Sequence, residues 1–310
     1  MKFYKIVSIL LIIGICISCS GSKKDNTITL GVMSSMDYLP LAIAQREGYF
    51  EKHGVNVSIQ KFISATERDV ALQSGVVDGV VTDYTSAALV NAGGFDLKLT
   101  SKCQAPFYIV SGKETGINNL SELKGKKIAV SQNTVIDFCV DVALNSVGLA
   151  ETDVEKVEIN KIPLRLEMLR NNKIDATGLP DPLGLIAESE GNKLLVSMDS
   201  LGYTVTGIVF TQKAIDDKGE AIKLMYKAYN DGVDYLKSHS INDIKDILVK
   251  DMRFPENLVN QAQIPAYTIA QAPASSDKDI QEVIKWLIGR KLIPESFDAA
   301  NMIDNRFVAE

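Results

Sequence analysis

Hydrophobic residues in this chain fall into short runs separated by amphipathic stretches, and the two rhythms alternate from residue 28 onward. An apolar run at 28–33 predicts a buried strand. It leads into a short helix with Pro40 in its first turn, where a missing N–H costs nothing, and with Leu39 and Ile43 on one face before Gly48 stops it. Residues 55–59 alternate as a second strand. Ser64 and Glu67 have the spacing of a capping box and open a second helix that ends at Gly75. A third strand is predicted over 76–81, with Asp83 placed to cap the helix that follows. Strand and helix repeated three times is the pattern of a parallel sheet covered by helices.

The same grammar returns further on. Residues 127–130 predict a strand, and Ser131 to Thr134 lead into a helix. Ile136, Val140, Ala143, Leu144 and Val147 form one apolar stripe along it, stopped by Gly148. Strands follow at 154–159 and 174–177, with a helix carrying Leu166 and Leu169 between them. Pro180, Asp181 and Pro182 open the next helix. The segments LQSGVVDGVVTD and LRNNKIDATGLPD align turn for turn, which makes Asp78 and Asp175 equivalent.

The fold class expected is therefore α/β, as two Rossmann-like lobes. A further strand at 97–103 stays in lobe one, 107–110 crosses to lobe two, and 203–210 crosses back. Helices are expected over 215–239, 241–252, 282–289 and 297–308. These boundaries assign 27–107 and 209–310 to lobe one and 108–208 to lobe two. Two crossings make a hinge that permits closure over a ligand.

The N-terminus changes the picture. Lys2 and Lys5, an apolar stretch over 6–17, and Ser18 before Cys19 have the form of a secretory leader. The stretch is short for a membrane span. Cys19 is the expected lipidation site, with 1–18 removed as a lipoprotein signal and 19–26 left as a polar tether. Ordinary cleavage near Ser18, releasing a soluble product, is the alternative. The formal charge of −6 excludes nucleic acid as a partner, since phosphate binding needs a basic footprint. Cys103 and Cys139, in different expected lobes, read as free buried thiols.

The run GYFEKHGV from Gly48, with LAIA before it and LQSGVVD after it, resembles the solute-binding proteins of ABC importers. The nearest group serves sulfonates, taurine, nitrate and the pyrimidine precursors of thiamine. The resemblance implies a type II-like periplasmic binding fold joined by a two-segment hinge. It also implies a monomeric lipoprotein on the bacterial cell envelope, a small-molecule ligand, an ABC permease as partner and no cofactor.

Ligands of parallel sheets sit at the carboxyl ends of the strands. The positions there are Ser35, Asp37 and Tyr38, then Ser64 and Thr66, Asp83 and Tyr84, Gln132, Asn133 and Thr134, and Asp181. Hydroxyls, amides and helix starts suit reversible binding of a small solute, although Ser64 and Asp83 serve equally as helix caps. Asp37 and Asp83 are the acids best placed to meet a donor. Tyr38, Tyr84, Phe107 and Tyr108 are candidate stacking faces. No arginine stands at a strand end, Arg68 and Arg165 being the nearest. A flat, donor-bearing ligand such as an aminopyrimidine is thus expected ahead of a sulfonate, taurine or nitrate.

Catalytic patterns are missing from the sequence. His53 and His239 are the only histidines and sit in polar turns; there is no zinc-ligand spacing, nucleophile elbow or phosphate loop. No catalytic residue or metal site is expected. A secreted enzyme or a surface sensor on the same scaffold are the other classes to weigh.

Overall fold

The computed structural model describes residues 26–308; the leader, the tether up to residue 25 and Cys19 lie outside the described residues. Ten strands form in chain order: β1 (Thr27–Met33), β2 (Asn56–Phe62), β3 (Gly79–Asp83), β4 (Leu97–Cys103), β5 (Phe107–Ser111), β6 (Lys127–Val130), β7 (Glu155–Glu158), β8 (Ala176–Pro180), β9 (Lys193–Ser197) and β10 (Thr206–Thr211). The helices are α1 (Leu39–Arg46), α2 (Tyr49–Lys52), α3 (Ala65–Gln73), α4 (Tyr84–Ala92), α5 (Val135–Ser146), α6 (Ile162–Arg170), α7 (Leu183–Ser189), α8 (Gln212–Ser238), α9 (Lys245–Lys250) and α10 (Lys278–Gly289).

The strands make two five-stranded sheets of one design. The orders are β2-β1-β3-β10-β4 and β7-β6-β8-β5-β9. In each, four strands run the same way, and the strand on which the chain enters or re-enters is inserted antiparallel at the fourth position. The chain passes between sheets twice, after β4 and before β10. β10 reads as a continuous apolar run because both its faces are covered and all six of its residues are buried. The edge strands β2 and β7 carry the exposed, charged positions.

The repeat proposed from Asp78 and Asp175 has a structural basis. Asp78 Oδ2 accepts the Thr29 N–H at 2.7 Å, and Asp175 Oδ2 accepts the Lys127 N–H at 2.8 Å, so each ties the start of the third strand to the first of its sheet. The turns before them hold Gly75 and Asn172 at positive φ. Cys103 and Cys139 are free and buried.

Two helical expectations fail. Residues 297–308 give only one short turn, Ala299–Met302, capped by Asp298. Beyond it Ile303 bridges Leu99, and the Asp304 N–H bonds the Leu99 carbonyl at 3.1 Å. The segment is drawn out because it covers the open edge of β4, whose unpaired groups outbid a helix. The expected helix at 241–252 breaks into a short turn and α9.

α8 buries its apolar stripe against α1 and contributes Ile222, Met225, Tyr226, Tyr229 and Val233 to the first core. Gly232 makes that approach possible, since a Cβ there would land on the Pro40 carbonyl oxygen. Gly232→Ala would gain about 1 kcal/mol of helix propensity but force two backbones apart, at roughly 1–3 kcal/mol. The expected outcome is net destabilisation in urea unfolding; a variant as stable as the parent would contradict this packing account.

Candidate functional site

The carboxyl ends of the two sheets face each other across a cavity of about 40 Å³, room for a few waters. Sheet one supplies Ser35 and Asp37 after β1, Thr82 and Asp83 at the end of β3, and Thr206 of β10. Sheet two supplies Phe107 of β5, Ser131 and Thr134 after β6, Asn160 after β7, and Pro180 at the end of β8. Helices α3, α4, α5 and α6 all begin at this rim, so their N-terminal partial charges converge on one space.

Two arginines reach the cavity, against the expectation that none would stand at the strand ends. Arg68 and Arg165 are the fourth residues of α3 and α6, and both line the cavity while nearly fully buried. A helical side chain leans back toward its helix N-terminus. A residue one turn inside a helix that starts at a strand end therefore returns to that end. The two stand at the same separation as Asp78 and Asp175, a signal the repeat alignment could have delivered.

Their electrostatics differ. The Arg68 Nε bonds Asp69 at 2.8 Å, and its Nη2 lies 3.3 Å from Ser86 Oγ and 3.6 Å from Asp83 Oδ2. Among the described residues Arg165 has no carboxylate partner. Its Nη1 donates to the Ile159 carbonyl at 3.0 Å, while Nε and Nη2 are buried without a hydrogen bond. Burial brings its pKa down to about 10, against only a weak pull from Glu158. A buried cation with unanswered donors is costly unless something pairs with it.

Among the predicted site residues, Ser35, Asp37, Asp83 and Thr134 meet at the cavity. Ser35 Oγ donates to Asp37 Oδ1 at 2.8 Å, and burial pushes the Asp37 carboxyl up to about 6. Asp83 is engaged four ways: it accepts from the Thr85 hydroxyl, from the Ser86 N–H at 2.8 Å, capping α4, and from the Ser86 hydroxyl at 3.2 Å, and it faces Arg68. Thr134 caps α5. Thr82 Oγ1 is buried at the cavity with no partner.

The others are placed differently. Ser64 caps α3 by accepting the Glu67 N–H at 3.2 Å, and Thr66 is exposed. Gln132 is exposed and donates its N–H to Glu158, whereas the Asn133 N–H goes to Asp137 at 3.1 Å. Tyr38 and Tyr84 lie in the apolar cores with unpaired hydroxyls instead of forming stacking faces. The aromatic wall of the cavity is Phe107. Asp181 and Tyr108 line a separate recess of about 600 Å³ beside the two crossings, together with Gln104, Asp199, Tyr203 and the segment Gln263 to Ala266. Both histidines are engaged away from the cavity, His53 with Asp231 at 3.0 Å and His239 stacked on Tyr235.

The chain belongs to the NMT1/THI5-like family, whose model matches residues 35–300. It is 25% identical over 309 residues to a Bacillus subtilis (strain 168) protein named for binding aliphatic sulfonates, covering 93% of this chain and 89% of that one. It is 23% identical over 261 residues to a Brachyspira hyodysenteriae protein named as an ABC transporter periplasmic binding protein, covering 76% and 75%. In fold it is similar to the alkanesulfonate-binding protein SsuA from Xanthomonas axonopodis pv. citri bound to MOPS, with a TM-score of 0.78 at 16% identity over 90% of this chain and 98% of that one. The fold is that of the periplasmic binding proteins.

Asp181 gives this region a pH signature. Burial pushes its carboxyl from 3.8 up to about 7, opposed only in part by the Tyr108 hydroxyl at 3.4 Å. A raised carboxyl pKa means the folded chain holds a proton that the unfolded chain releases. Stability is then greatest at low pH, falls as pH rises from about 4 to about 7, and levels off above. Asp181→Asn removes that loss. We expect the variant to exceed the parent by about 2–4 kcal/mol at pH 8 and to match it near pH 4 in urea unfolding. Equal stability at pH 8 would mean Asp181 is not held protonated.

Proposed function

We propose that this protein is an extracytoplasmic solute receptor that delivers a small anionic molecule to an ABC importer. The observation that carries the reading is Arg165: a fully buried guanidinium with two unanswered donor groups, aimed into a cavity ringed by four helix N-termini. A compact oxyanion would satisfy those donors in the paired geometry that guanidinium favours. The sulfonate-binding names of the Bacillus relative and of SsuA, and the transporter name of the Brachyspira relative, support the class of ligand and the importer role.

A second reading, the flat nitrogen heterocycle, is favoured by Asp37. Its carboxylate takes a hydrogen bond from Ser35 and lines the cavity, where it offers an acceptor to a ligand N–H. A ligand bearing both an oxyanion and an amino group would use both walls.

The cavity, about 40 Å³, is too small for a ring, so binding requires the walls to part and close again. A ligand held by both lobes favours the closed state. We infer that the receptor sits at the bacterial cell envelope, on the periplasmic or extracellular face, held to a membrane by a lipid on Cys19. That placement rests on the charged, apolar and small-residue order of the leader. Cys19→Ala should move the protein from the membrane to the soluble fraction.

The ligand test uses methanesulfonate, taurine, nitrate and an aminopyrimidine, each titrated into protein freed of bound solute by unfolding and refolding. An oxyanion is expected to raise stability by about 3 kcal/mol at a hundredfold excess over Kd. Arg165→Gln is expected to weaken that binding by about 30-fold or more, the scale for removing one partner of a buried charge pair. Aminopyrimidine binding that survives Arg165→Gln, with no oxyanion bound by the parent, would replace the anion reading with the heterocycle reading.

A further inference from the structure

We propose that the seam between α5 and α10 is the pivot on which the two lobes turn, and that Arg290 pins it. The inference rests on the receptor reading in one respect, that the lobes move. Its test needs no ligand, so the two can fail separately.

α10 packs on α4 of lobe one, and α5 packs on β5, β6 and β8 of lobe two while its outer face meets α4. Arg290 follows α10 directly, and every carboxylate it meets belongs to lobe two. Its Nη2 lies 2.7 Å from Asp141 Oδ2, its Nη1 3.5 Å from Asp137 Oδ2, and it pairs with Glu151. Trp286 of α10 adds an Nε1–H bond to Asp141 Oδ2 at 2.8 Å, with the Arg290 guanidinium over its ring.

Asp137 is completely buried and Asp141 nearly so. Lobe two supplies one cation for the pair, Lys156, whose Nζ lies 2.5 Å from each. Drawing α10 away would leave two buried carboxylates sharing one lysine, and removing one partner from a buried ion group is strongly destabilising. Apolar packing crosses at the same place. One core cluster runs unbroken from α4 and α10 to α5, and Phe138 sets its edge against both Trp286 and Tyr203, the latter in the return crossing.

The lobes also face each other across the cavity and the 600 Å³ recess, and touch where Leu185 of α7 packs on the first core and Leu258 on the third. Those contacts are partly buried single side chains, whereas the α5–α10 seam holds buried charges, so a relative rotation that keeps the seam and changes the two spaces is the less costly motion. The hinge has three members, two chain crossings and one ionic seam.

The seam also reaches the cavity. Asp137 Oδ2, which faces Arg290, accepts the N–H of Asn133 at 3.1 Å. Asn133 is held at φ +61°, in the loop whose Ser131 and Thr134 line the cavity. Arg290 is thus a positioning residue for that loop, acting through Asp137.

The experiment measures small-angle scattering and amide hydrogen exchange on the solute-free protein. Arg290→Met keeps an unbranched aliphatic side chain and deletes the guanidinium that lies over Trp286 and pairs with the carboxylates. It is expected to enlarge and broaden the distribution of radius of gyration, and to speed exchange at Asn133 by about tenfold or more while α8 amides stay protected. Arg290→Lys should restore the compact distribution in part, which a merely destabilised core would not do. A folded Arg290→Met with unchanged scattering and unchanged Asn133 exchange overturns the proposal. If that variant does not fold, Trp286→Phe decides. It keeps the ring contact and loses only the N–H to Asp141, so smaller changes of the same sign support the pivot and none overturns it.

Discussion

Sheet one cannot be completed locally. β10 lies between β3 and β4 and hydrogen-bonds both, yet the chain reaches it only after all of lobe two has been traversed. Everything else follows from this insertion. It makes the chain cross between lobes twice instead of once, and sets the two crossings side by side. It also leaves the carboxyl ends of both sets of parallel strands facing one space. The arginine-lined cavity is a product of that arrangement, since helices that start at strand ends direct their first turns inward.

The design of the two lobes is nearly the same, but their charge is not. Arg68 sits among Asp69, Asp83 and Asp37, so its charge is more than offset within the first wall. Arg165 has only a carbonyl. Duplicated architecture with one neutralised and one open cation yields a site with direction: a charged solute has one wall to pair with and another to be shaped by.

Much of the fold was legible because parallel sheets write themselves as apolar runs. β4 was read at its observed bounds, and the β10 run stood out through its β-branched residues. β3 was read early because Val76 and Val77 continue its hydrophobic run into a turn, where Val77 is buried although it is not in the strand. The tail at 297–308 carried helical spacing and still became extended, because the open edge of β4 is visible only in three dimensions. Ser35, Asp37, Asp83 and Thr134 reach the cavity because they closely follow strand ends. Arg68 and Arg165 were passed over because they lie one turn inside helices, where sequence distance from the strand end misstates spatial distance. Tyr38 and Tyr84 misled for the opposite reason: they neighbour the right acids, but adjacent side chains point to different sides of the backbone.

The unanswered donors of Arg165 bear on how long a molecule survives in the envelope. A solute that paired with those donors would offset the desolvation cost of that cation. Local openings that expose chain to proteases would then be rarer in the loaded protein. Empty copies would be cut faster than loaded ones. The standing number of receptors would then track the supply of solute, with no change in synthesis.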